Sequence, residues 1–442
     1  MDTSIKVGFG RADVTPEGSV PLGGYGNARS RLSTSVRDRL MATCLAFTDS
    51  ENNTALVFST DALHTIKDLV EQARDILCPE FGLERHQILV ASTHSHATPD
   101  LTLTDLPVIV DARKKYVDGL CEAARKAMAD RLPAIVYAGA VQTCGMNFIR
   151  HYKLADGTYC GANFGNASVG IIKHASTNDP WVQLIKFARQ GGKDITLVNF
   201  QAHPCFTSGM TATTISADYI GDLRRNVEEQ TQTRCIFFQG AAGNHNGISY
   251  LPSETRYNDS AEYGKELANY VIKGITCLRQ IKAGQVCAQK HTLNLKLDHS
   301  DDWMLPQCMP IKEEWEKNFD RAVSNAQAKA LGLNSIYAVN ALINRSTLPE
   351  AEQMDIYALR VGDLGFAFAP YEMFGANGEF IKDFSPFPMT VVASCANGAH
   401  SYLASELAFT HGCYEVDNRR YPKGTAELLA DNFVEMLKKL KN

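Results

Sequence analysis

Of the chain's 12 cysteines no two form a Cys-x-x-Cys pair; they lie scattered from Cys44 to Cys413. That excludes a zinc ribbon or a thioredoxin-type motif, and buried free thiols account for them. No window approaches the ~18–20 continuous apolar residues of a membrane span. The start, Met1 to Lys6, offers no basic stretch leading into the ~7–15 apolar residues of a signal peptide. There is no Lys/Arg run either: 44 Lys+Arg stand against 49 Asp+Glu, a formal charge of -5. Such a chain lacks the electrostatic footprint of a nucleic-acid binder and the polybasic patch that docks proteins on anionic membranes. A reducing, cytoplasmic setting is the expectation. Internal repeats, low-complexity tracts and Pro/Ser-rich linkers are also missing, so residues 1–442 are expected to form one integrated domain.

What is present suits a packed enzyme. Apolar residues make up 45% and charged residues 21%, enough for a sizeable core. Short runs rich in Val, Ile, Leu and Phe, bounded by Gly, Asp, Asn or Pro, predict strands at Ile5–Gly10, Ala42–Thr48, Thr54–Thr60, Gln87–Ser92, Ala134–Val141, Trp181–Phe187, Ile195–Gln201 and Arg234–Gln239. Amphipathic stretches between them predict helices at His64–Leu77, Ala112–Arg131, Asp218–Gln230 and Ser260–Ile281. Further strands are expected at Gln285–Leu297, Asp355–Val361, Leu364–Ala369 and Met389–Ser394, and a closing helix at Thr425–Lys441. A charged amphipathic helix over Ile311–Leu331 suggests a helical excursion or lid within 298–350. The alternation predicts a mixed α/β fold, a layered β-sheet core flanked by helices rather than a sandwich or a bundle.

Polar residues gather where apolar strands stop. Ile88-Leu89-Val90 leads into Thr93-His94-Ser95-His96, and ligands of open α/β sheets bind at the carboxyl ends of strands. In an extended segment His94 and His96 point the same way and can serve one site as metal ligands or as ligand plus acid/base; two hydrogen-bonded structural histidines are the alternative. The run Ile195–Phe200 likewise delivers His203 before Pro204, and Leu364–Ala369 delivers Glu372. A carboxylate after such a run must be solvated, paired or metal-bound. Gln239–Gly247 is rich in small residues whose amides could face an anion, without matching a P-loop. Gly23-Gly24-Tyr25-Gly26 reads as a turn, and Tyr402 and Tyr414 as ordinary packed tyrosines.

In this order the segments resemble the N-terminal catalytic domain of the neutral (non-lysosomal) ceramidases. Val7-Gly8-Phe9-Gly10-Arg11-Ala12-Asp13-Val14-Thr15-Pro16 with Leu22-Gly23-Gly24-Tyr25-Gly26 resembles that family's start, Phe58-Ser59-Thr60-Asp61 a strand-plus-Asp segment, and Ser92-Thr93-His94-Ser95-His96 its THTHSGP motif. The resemblance implies one catalytic Zn2+ held by His94, His203, Glu372 and Tyr402, with Asp61 orienting a ligand. It implies His96 as the proton-transferring residue, Tyr414 as the oxyanion-stabilising one, and Arg150 as a substrate contact. The chemistry implied is hydrolysis of an N-acyl (amide) bond by zinc-activated water.

Two departures shape the expectation. Where the family has a serine, this chain has Asn246, so a zinc-activated water is favoured over a covalent serine and Asn246 is expected to hydrogen-bond substrate. The 442 residues leave no room for the family's C-terminal immunoglobulin-like domain. A small soluble N-acyl compound is therefore expected in place of membrane ceramide, with neither nucleic acid nor membrane as partner and a homo-oligomer left open. The alternatives are an esterase or lactonase on the same scaffold, and a non-catalytic metal- or ligand-binding relative.

Overall fold

The computed structural model describes residues 5–161, 170–254, 257, 259–318 and 320–442. Two mixed sheets form its centre. The larger, 9-stranded sheet comprises β1 (Ile5–Asp13), β2 (Met41–Asp49), β3 (Thr54–Thr60), β4 (Ile88–Ser92), β5 (Leu132–Gln142), β6 (Trp181–Arg189), β7 (Ile195–Phe200), β8 (Arg234–Gln239) and β9 (Arg279–Ile281). Its order is β8-β7-β6-β5-β1-β2-β3-β4, with β9 on β5, and only the outer pairs β3/β4 and β7/β8 are parallel. The second, 4-stranded sheet runs β10 (Val286–Lys296), β11 (Ala351–Val361), β12 (Leu364–Phe368) and β13 (Met389–Ala393).

Side-chain alternation explains why these strands read as unbroken apolar runs: both faces are covered. On β2, Leu45 and Phe47 enter the core between the sheets, whereas Ala42, Cys44 and Ala46 face the helices; β3 divides the same way, with Ala55 and Val57 opposite Leu56 and Phe58. Across the seam, Phe366 and Phe368 of β12 meet Phe47 and Phe238 at ring separations of 6.3 and 6.4 Å. Outside the large sheet lie α1 (Lys67–Phe81) and α2 (Pro107–Ala129) on one half, α3 (Asp218–Thr231) and α4 (Ser260–Ile275) on the other. The small sheet's outer face is covered by α8 (Gly375–Phe384) and the closing helix α11 (Thr425–Lys441). The layered α/β expectation holds, but the contrast drawn with a sandwich does not: helices enclose two sheets packed face to face. Gly8 and Gly10 are required for this, because a Cβ on either would stand 1.9 Å from a carbonyl oxygen of α2, that of Ala127 or Ala123.

Several boundaries differ from the sequence reading. The helix expected over Ser260–Ile281 stops at Ile275, and Arg279–Ile281 pairs with β5 instead. The helix expected over Ile311–Leu331 is two, α5 (Leu305–Asn318) and α6 (Arg321–Ala330); residue 319 lies outside the described residues. Asp320 restarts the helix by accepting hydrogen bonds from the amides of Ala322 and Val323 at 3.0 and 3.1 Å, a standard N-cap. With α7 (Ile336–Ser346) these helices share a small apolar core around Cys308, Val339 and Leu342. The short helices α9 (Glu406–Phe409) and α10 (Tyr414–Asp417) precede α11. Among the described residues, no helix is long and apolar enough to cross a membrane.

Candidate metal and catalytic site

The carboxyl ends of β4, β8 and β13 meet. The amide of Ser92 donates to the Cys395 carbonyl at 3.1 Å, and that of Ser394 to the Gln239 carbonyl at 3.0 Å. Along the ladder β4 and β7 formally run in opposite senses, yet six steps of ~20–25° accumulate a twist of ~120–150°, which brings their ends to one region. The histidines converge there, though not because the chain is extended: after β4 the backbone turns, and His94 takes a left-handed φ of 64°. Such a value in a non-glycine residue is uncommon and tends to occur where geometry serves a site.

Ligand nitrogens of His94, His96 and His203 all lie within 4.8 Å of one another. Glu372 Oε2 stands 3.2 Å from His94 Nε2 and 3.1 Å from His203 Nε2, and His96 Nε2 is 3.3 Å from His94 Nε2. All four residues are buried. The opposite ring nitrogens are fixed by backbone: Nδ1 of His94 donates to the Leu63 carbonyl and Nδ1 of His203 to that of Ala242, each at 2.7 Å. Those bonds set the tautomer of the neutral rings in which both Nε2 atoms face inward, the arrangement of metal-binding histidines. Electrostatics agree. Burial opposes the charged form of His94, but the Glu372 carboxylate outweighs it and raises its pKa; burial also opposes the charged form of Glu372, and His94 and His203 overcome that and hold its pKa well below the usual range. Burial and Arg150 push His203 down to about 4, so it is neutral at neutral pH. The cluster thus favours positive charge at its centre, and a nitrogen-rich set with one carboxylate fits Zn2+.

Tyr402 opens a two-residue strand that pairs in parallel with Glu372–Met373. Its ring lies 5.8 Å from that of Tyr414, the first residue of α10, and burial raises both phenol pKa values, keeping the hydroxyls protonated as donors. Arg150 lies over the Tyr402 ring at 5.5 Å, and its Nε donates to Glu415 Oε1 at 2.6 Å. His96, His203, Tyr402, Tyr414, Arg150 and Asn246 all border one cavity of about 600 Å³.

The expected placement of Asp61 needs correcting. Its carboxylate binds Arg224 Nη2 at 2.6 Å and accepts from Thr93 Oγ1 at 3.4 Å; among the described residues it contacts no histidine and reaches only the side chain of the residue before His94. Within Gln239–Gly247, where amides facing an anion were expected, those of Gly240, Gly243 and His245 are committed to the carbonyls of Phe200, Met373 and Ala242. A second group, His151, Cys413 and Glu415, brings its ligand atoms equally close. There, however, burial and the Glu415 charge raise the Cys413 pKa, so the thiol stays protonated, while His151 and Arg150 occupy both Glu415 oxygens. The Arg150–Glu415 pair makes this group an ion-pair lock.

Gly24 was missed as a functional residue. Its φ is 111°, it borders the cavity, and a Cβ there would stand 2.5 Å from His96 Nδ1. Tyr25 adds an edge-on ring contact to His96 at 5.3 Å. The doubled glycine was the available signal, but a turn explains it equally well without the partner ring.

No family model matches the chain, and no curated protein matches it. Solved structures do. A structure described as ceramidase complexed with C2 superposes with a TM-score of 0.74 at 17% identity, covering 99% of this chain and 75% of that one. Neutral ceramidase from Pseudomonas aeruginosa superposes with a TM-score of 0.73 at 17% identity, covering 100% and 75%. The two-sheet body therefore has the fold of the neutral ceramidases.

Proposed function

We propose that this chain is a zinc-dependent hydrolase that cleaves the amide bond of a small, water-soluble N-acyl compound. The observation that carries the reading is the inward convergence of His94, His203 and Glu372, with His96 beside them, on a cavity that also presents Arg150, Tyr402 and Tyr414. His94, His203, Glu372 and Tyr402 would hold the metal. When bound, zinc supplies polarisation of the acyl carbonyl and a water acidified enough to attack near neutral pH. His96, whose pKa burial lowers and the neighbouring His94 and His203 lower further, rests neutral. It accepts the proton of the attacking water and passes it to the leaving nitrogen. Tyr414 donates to the developing oxyanion, and Arg150 and Asn246 orient the substrate.

The test is elemental analysis of the purified protein, followed by assay against matched N-acyl amides and O-acyl esters of one acid. About one zinc per chain and amide cleavage are expected; failure to take up stoichiometric metal after zinc is added back overturns the reading. Faster ester than amide cleavage would instead select the esterase reading. Gly24→Ala should lower kcat/KM by about 10²-fold with zinc content unchanged, because the methyl displaces His96 by roughly 1 Å without touching His94, His203 or Glu372. Circular dichroism and metal analysis beside the kinetics separate this from misfolding.

A further inference from the structure

Helix α7 divides its residues by helical spacing. Ile336, Val339, Leu342 and Ile343 enter the apolar core shared with α5 and α6. Tyr337, Asn340, Ala341 and Asn344, at i, i+3, i+4 and i+7, border the cavity that opens on the histidine cluster. The two carboxamides form a polar strip in a wall whose other members include Met210, Ile248 and several tyrosine rings. Asn340 Oδ1 is moreover buried with no hydrogen-bond partner among the described residues, a state that costs free energy. Charge complementarity is missing too: among the described residues, histidines apart, Arg150 is the one charged residue on the cavity wall, and Glu415 neutralises it. A volume of about 600 Å³ suits a drug-sized molecule.

Resting on the amide-hydrolase reading above, the geometry points to a hydroxyl-recognising subsite on α7, in which Asn340 and Asn344 select an N-acyl compound whose amine half is uncharged and polyhydroxylated. The carboxamides of Asn340 and Asn344 exchange hydrogen bonds with substrate hydroxyls along this wall. A ring bearing alkyl carbons in place of hydroxyls leaves these groups unpaired and is rejected.

The test compares two probes that share an acetyl group, N-acetylglucosamine and N-acetylcyclohexylamine, on the zinc-loaded protein and on Asn340→Leu and Asn344→Leu. The expected result is a preference for the hydroxylated probe of at least about tenfold in kcat/KM, lost in Asn340→Leu chiefly through KM. Asn344 is exposed, so its variant retains the fold if Asn340→Leu does not, and it should lose part of the preference. Equal rates on both probes, or a preference that survives both substitutions, overturn the subsite. Calorimetric binding of the same probes to metal-free protein separates this idea from its premise. Selective binding that depends on Asn340 without hydrolysis upholds the subsite and removes the amide-hydrolase reading; unselective binding removes the subsite.

Discussion

His203→Ala leaves the purified protein without stoichiometric zinc and lowers kcat/KM toward an N-acyl substrate by about 10³-fold or more. The size follows from what the ion contributes: several kcal/mol of transition-state charge stabilisation, at about 1.4 kcal/mol per decade of rate. His203 has no other evident task that would mask the loss. Its Nδ1 is spent on the Ala242 carbonyl and its Nε2 faces Glu372 and the cavity. Far-UV circular dichroism should stay unchanged, since His94 still partners Glu372 at 3.2 Å and the carboxylate is not left alone. Zinc content equal to that of the wild type would remove His203 from the site and take the metal reading with it. Asp61→Asn provides a contrast: it weakens the Arg224 pair behind Thr93 and should disturb the His94 turn without removing any donor atom.

The strands that carry the donors were legible because both faces of each are covered. A run such as Ile195–Phe200 needs no register information to be recognised, and a polar residue at its end stands out. His94, His203 and Glu372 became visible for that reason. The elements that complete the cavity were not, because nothing local marks them. Gly24 looks like any turn glycine until the His96 ring is placed against it, a contact across 72 positions of chain. The parallel pairing of Glu372–Met373 with Tyr402–Leu403 involves two residues on each side, too few for any periodic signal. Helix α7 falls inside the broad helical excursion expected over 298–350, and nothing in the sequence singles out its Asn340 and Asn344; the partner that makes their face a cavity wall lies far away in the chain. Long-range closeness, rather than helix or strand propensity, was the missing information.

Glu415→Gln should be among the most destabilising single changes outside the sheets, by ~3–5 kcal/mol at neutral pH. Glu415 is 0% exposed and Arg150 5%, and the carboxylate joins Arg150 Nε at 2.6 Å to His151 Nε2 at 2.7 Å. The glutamine is nearly isosteric but leaves the guanidinium buried without a counter-charge. The pH dependence distinguishes this from a packing defect. Burial alone would raise the Glu415 pKa; Arg150 and His151 outweigh it and hold it far below the usual carboxylate range. With a depressed folded pKa, the stabilisation is fully present above the unfolded value of about 4.3 and is lost as pH falls below it. Thermal or urea unfolding should therefore show the widest gap between wild type and variant near pH 7 and a narrowing gap below about pH 4; a gap that persists in acid would refute the electrostatic account. The pair Arg150→Met, Glu415→Leu completes the argument. Replacing both charges by apolar side chains of similar size should recover most of the stability, because a buried ion pair is often no better than packed hydrocarbon. Activity should not return with it, since Arg150 is one of the groups facing the substrate cavity. Recovery of both together would mean that Arg150 serves the fold alone.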